Sequence, residues 1–250
     1  MSAKSEKLFR KICKGWREIG QAIRRYVKDC NASYELDLKT WPKLGRLNDE
    51  ESAHDSVHIC LEDVLLLPRW PAKSNSKKRI CIGIAGDFRC RFRPESTEFV
   101  ELLSYCTEVG YFKHTDQKSP RKVKCLDGYH FDFEPTLQRA HPVFHGQRHG
   151  GVLISEISKK GYEVDSTTRP PATLHHVHLP TPQVDLVSAL IMIVADHVVD
   201  SNDECEQAFL SLRGKIREKL RLVATPSDNA DLGECVKRKE ILLDHWYAKT

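Results

Sequence analysis

The chain has 250 residues and a mass of 28.7 kDa, with 40% hydrophobic and 30% charged residues, a globular balance far from disordered or fibrous compositions. Thirty-nine Lys and Arg against 35 Asp and Glu leave a net charge of +4 and a pI of about 8.5, short of the basicity of a dedicated nucleic-acid domain. No stretch reaches the ~20 apolar residues of a membrane span, since even Val184–Val199 contains Asp185, Asp196 and His197. The opening residues lack the apolar core of a signal peptide. The nine cysteines are odd in number and form no CxxC pair, which argues against a disulfide framework or a zinc ribbon. The expectation is a soluble, cytoplasmic protein.

In chain order, the spacing of Leu8, Ile12, Trp16, Ile19, Ile23, Tyr26 and Val27 predicts an amphipathic helix. Lys7, Arg10, Lys11, Lys14, Arg17, Arg24, Arg25 and Lys28 cover its other faces. Such a flank suits phosphate or an anionic surface, and it is also the ordinary solvated side of a docked helix. Residues 31–50, with Trp41-Pro42, read as a connection, and Ser52–Leu67 as a second helix stopped by Pro68. Arg69–Lys78 has linker composition. It divides an N-terminal helical region, 1–70, from an α+β domain with C-terminal helices, 71–250, unless the two form one continuous domain.

Beyond it the period shortens to two. Ile80, Ile82, Ile84, Phe88, Cys90 and Phe92 predict two strands joined by a hairpin turn at Ala85-Gly86-Asp87. Phe99, Leu102, Leu103 and Cys106 predict a short helix over Glu95–Val109. Val123–Glu134, Pro142–Ile157 and Ala172–Leu179 read as strands. Helices follow after Pro182, over about Asp203–Leu222 and over about Ala230–Tyr247. The fold class expected is α+β, a central antiparallel sheet flanked by N-terminal and C-terminal helices.

Seven of the twelve histidines fall between 130 and 178: His130, His141, His145, His149, His175, His176 and His178. On a strand, residues two apart share a face, so His145, Gln147 and His149 project together, as do His176 and His178. Three readings compete. The first is a divalent transition-metal site of His145, His149, His176 and His178, with Asp132 or Glu134 nearby. The second is a polar recognition surface with Gln147, Arg139, Arg148 and Arg169, and the third is structural histidines satisfied by their neighbours. Arg89, Arg91 and Arg93 alternate against Phe88, Cys90 and Phe92 as a small cationic stripe, or as partners of nearby carboxylates. Cys125 near His130 is a candidate nucleophile, although a buried structural cysteine is the commoner case. Nucleotide-binding, α/β-hydrolase and kinase motifs are missing from the sequence.

Tyr129-His-Phe-Asp-Phe-Glu-Pro, His141-Pro-Val-Phe-His-Gly-Gln147, His178-Leu-Pro-Thr-Pro-Gln-Val-Asp-Leu and Ala195-Asp-His197 follow in order. Over about residues 125–200 this resembles a bacterial protein group with an aromatic-Asp-aromatic pattern and an HPxxHxQ strand motif. Its members look like accessory proteins encoded beside prokaryotic defence systems, among them the caspase-coupled (type III-E) CRISPR system. The group brings no activity with it, so no catalytic role passes to any residue.

The resemblance implies a non-catalytic accessory or regulatory protein of antiviral defence that binds a protein partner encoded nearby. The contact residues expected are Arg89, Arg91, Arg93, His141, His145, Gln147 and Arg148. The alternatives are a metal-dependent nuclease or hydrolase using His141, His145, His149, His176 and His178, and a nucleic-acid-binding protein using the first helix and the arginine stripe.

Overall fold

The computed structural model describes residues 2–30, 41–47, 55–73, 76, 78–93, 96–116, 119, 121–133, 144–149, 151–165, 179–181, 183–198, 203–220 and 222–224. Its elements run α1 (Ala3–Cys30), β1 (Leu44–Leu47), β2 (Ser56–Leu61), β3 (Leu65–Pro71), β4 (Arg79–Arg93), β5 (Ser96–His114), β6 (Lys122–Phe133) and β7 (Phe144–Arg148). They continue with α2 (Ile154–Lys159), β8 (Glu163–Asp165), β9 (Leu179–Pro180), α3 (Leu186–His197), α4 (Asp203–Lys219) and β10 (Leu222–Ala224). The fold is α+β, as expected.

The predicted apolar stripe of α1 is buried along its whole length, from Leu8 to Val27. Trp16 ties the helix to the returning chain. Its Nε1 donates to the Pro42 carbonyl at 2.9 Å, and its ring packs on Trp41 with centroids 4.9 Å apart.

The sheet runs β1-β2-β4-β5-β6-β7-β9 with antiparallel neighbours throughout. β3 pairs with the first half of β4, while β8 and β10 join β6 and β5 in parallel. One face is covered by α1, α3 and α4. Its core runs from Leu8 to Leu220 and takes in Ile80, Ile82, Ile84, Phe88, Cys90 and Phe92 from β4. A smaller core lies on the other face at one end, where Val152, Leu153 and Ile157 pack on Cys81, Phe112, Val123 and Cys125. Asp185 caps α3 by accepting from the Val187 and Ser188 amides, and the Val184 amide donates to the Tyr105 hydroxyl at 2.8 Å.

Four sequence expectations are corrected. Ser52–Leu67 holds the strand β2 and the start of β3: Val57 and Ile59 are buried two apart, a period of two rather than 3.6. Pro68 lies inside β3, beside an irregularity where Arg69 takes φ 57°. Ala85-Gly86-Asp87 is no turn, because β4 runs unbroken through it. Gly86 is required there at φ 154°, where a Cβ would stand 2.3 Å from the Cys106 carbonyl oxygen.

Glu95–Val109 belongs to the 19-residue strand β5. A bulge leaves Leu103 unpaired between Leu102, opposite Cys90, and Ser104, opposite Arg89. Buried residues therefore run Val100, Leu102, then Tyr105, Thr107 and Val109, and the step of three mimics helical spacing. Likewise, among the described residues of Pro142–Ile157 the strand is confined to β7, and the chain then turns into α2. The α3 and α4 helices fall where the apolar spacing puts them. The strand over 172–179 reaches the described residues only at its end, and the helix over 230–247 lies outside them.

Candidate functional site

The face of the sheet opposite α1 is polar where α2 does not cover it. The β5 bulge and a second bulge at Leu126 in β6 set which side chains reach it. Past them, Asp87, Cys106, Asp132 and His145 stand side by side on β4, β5, β6 and β7. The next row holds Glu108, His130 and Gln147, and on the other side His58 and Arg89 are register partners.

His130 is the hub. Its Nε2 donates to Asp132 in a short bond, and its Nδ1 lies 3.9 Å from Cys106 Sγ and 3.6 Å from Glu108 Oε1. From β7, His145 Nε2 stands 3.4 Å from Asp132 Oδ2. Asp132, then Cys106 and Glu108, hold the proton on His130 and push its pKa up to about 12, against the effect of burial. Burial opposes the charge on Asp132, but the two imidazoles outweigh it and hold the carboxyl at about 2. Burial pushes the Cys106 thiol up, with His130 partly offsetting it. Beside this cluster, His58 Nε2 and Asp87 Oδ1 pair at 2.7 Å.

The residues singled out from sequence are distributed unevenly around this face. Arg89, Arg91, His145 and Gln147 share it, but Arg91 donates to Glu101 at 2.7 Å, so its charge is taken up locally. Arg148 points to the opposite face, where its Nε donates to Asp127 at 2.7 Å next to Tyr129. His145 is 4% exposed, a buried ring rather than a contact residue. His149 is exposed just beyond β7, its amide donating to the Gly128 carbonyl. The side chain of Arg93, and His141, His176 and His178 entirely, lie outside the described residues.

Cys125 is buried in the smaller core, its thiol pushed up by burial, and the cysteine facing His130 is Cys106. Cys106 and Glu108 were not singled out from sequence as site residues. Only the β5–β6 register brings them to His130, and that register is invisible once β5 is read as a helix.

A second feature lies on the far side of the molecule. α1 carries nine Lys and Arg against three Asp and Glu, a net +6 that exceeds the +4 of the whole chain. At about 100° per residue, Lys7, Arg10, Lys14, Arg17, Arg24, Arg25 and Lys28 fall in one band about 100° wide opposite the buried stripe, and all are exposed. Arg10, Lys14 and Arg25 have i,i+4 carboxylate partners within 4.0 Å. Lys7, Arg17, Arg24 and Lys28 have none among the described residues.

No protein-family model matches the chain, and neither curated proteins nor solved structures supply a match. Among the described residues, no helix is long and apolar enough to cross a membrane.

Proposed function

We propose that the chain is a non-catalytic accessory protein that binds an acidic protein partner along the outer face of α1. The observation that carries this reading is the cationic band: more than the entire net charge sits on one exposed helix face, and four of its cations lack carboxylate partners among the described residues. Like charges three and four residues apart destabilise a helix, so an uncompensated band costs stability unless a partner offsets it. The rest of the chain is slightly acidic, and no aromatic residue of α1 is exposed for base stacking. Both points favour an acidic protein surface over single-stranded nucleic acid. The arginine and histidine contacts expected on the sheet fit less well, because Arg91 and Arg148 are already paired and His145 is buried. The setting carried by the sequence resemblance is prokaryotic antiviral defence, with the partner encoded nearby.

Co-expression of the full chain with the products of its neighbouring genes tests this. Binding of one product, lost in R17E/R24E while the thermal transition stays unchanged, is the expected result. Co-purification that survives charge reversal, or that nuclease treatment abolishes, would overturn it; the second outcome would make the partner a nucleic acid.

A further inference from the structure

We propose that Cys106, His130 and Asp132 form a binding site for a divalent transition metal of zinc-like chemistry, independent of the α1 surface. One ligand atom from each of the three lies within 4.8 Å of the other two. Ligands at the usual ~2.0–2.3 Å from a tetrahedral zinc stand ~3.3–3.8 Å apart, so closing the site needs movements of about 1 Å or less. The Cys106 Sγ to His130 Nδ1 separation of 3.9 Å is already close to that range.

The donor set points to the ion. A thiolate with an imidazole and a carboxylate suits zinc or cobalt and is a poor cage for calcium or magnesium, which take oxygen ligands. The scaffold is rigid, since Cys106 and Asp132 are register partners on adjacent strands and His130 is two residues along the same strand as Asp132. His145 is a positioning residue: buried on β7, it reaches Asp132 at 3.4 Å and orients the carboxylate. Glu108, 3.6 Å from His130, is the nearest further oxygen. Three protein ligands leave a fourth position for Glu108, water or a bound anion, as in open zinc sites.

Binding releases the thiol proton of Cys106 and the Nδ1 proton of His130 to solvent, so that Sγ and Nδ1 take the metal while Asp132 turns a carboxylate oxygen from its hydrogen bond with Nε2 to the ion. This ligand set differs from the one expected on sequence, which drew on His145, His149, His176 and His178. Of those, His145 alone touches the cluster among the described residues.

Titration of the full-length apo protein with cobalt(II) tests the site, because a thiolate ligand gives a sulfur-to-cobalt charge-transfer band and tetrahedral geometry gives intense visible bands. The expected result is saturation at one equivalent, displacement by zinc, loss of the charge-transfer band in C106S, and affinity lower by at least about tenfold in H130Q and D132N. C60S, on the same face, keeps the full spectrum and serves as the control for the remaining thiols. Absence of a charge-transfer band in the wild type would overturn the proposal, and so would a band that persists in C106S or an affinity unchanged in both H130Q and D132N. Should C106S fail to fold, the affinity losses in D132N and H130Q carry the test.

Discussion

Thr107 is wholly buried in β5, and its hydroxyl meets no protein partner among the described residues. A buried hydroxyl without a partner costs its desolvation, so Thr107→Val is expected to be neutral or to raise stability by up to about 1 kcal/mol in urea unfolding. A loss of more than that would mean the hydroxyl is bonded.

His197 makes a pH-dependent counterpart. It is buried at the end of α3, donates from Nδ1 to the Pro71 carbonyl at 2.8 Å, and packs on Tyr111. Burial lowers its pKa, outweighing the Pro71 bond and the Asp196 charge that favour the proton. The unfolded chain therefore takes up this proton more readily than the folded one. The neutral ring's contribution is complete above the unfolded value of ~6.5 and is lost as pH falls through the lower folded value. His197→Gln, which can still donate to Pro71, is expected to lose less melting temperature than the wild type between about pH 7.5 and 5.5. Equal slopes for the two proteins would contradict this. At the cluster, His130, Asp132 and His145 were visible in the sequence as an unusual run of imidazoles and a carboxylate, but which of them meet was not. Side-chain alternation gives a face, whereas a contact needs the strand register.

At the scale of elements, the helices and the β4–β6 strands diverge in how much they disclose. α1, α3 and α4 carry long apolar stripes whose 3.6-residue period survives every local variation, and they lie where that period puts them. The strand β5 hides itself because the bulge at Leu103 breaks its period of two, and Gly86 resembles a turn because a glycine inside a strand is uncommon. Gly86→Ala checks the account of β4. The added Cβ would meet the Cys106 carbonyl backbone, which cannot step aside without breaking the β4–β5 ladder. A destabilisation of about 3 kcal/mol is expected in chemical unfolding, and a change below about 1 kcal/mol would mean that the two strands do not approach this closely.

For the molecule as a whole, α1 is at once part of the core and the most charged surface. Its inner stripe packs with β2, β4 and α4, so the outer band is held on a fixed helix. The polar sheet cluster lies on the opposite side of the sheet, so a partner on α1 leaves it uncovered. The order of helical and strand periods along the sequence anticipated the α+β class, while the modest net charge concealed how far one element dominates it. The most direct measurement is the dissociation constant between the full chain and the neighbouring gene product that it captures, taken over a range of salt for wild type and R17E/R24E. The account predicts an affinity that falls steeply with salt and drops at least about tenfold on charge reversal, with the difference between the two proteins shrinking at high salt. An affinity indifferent to both salt and charge reversal would contradict it.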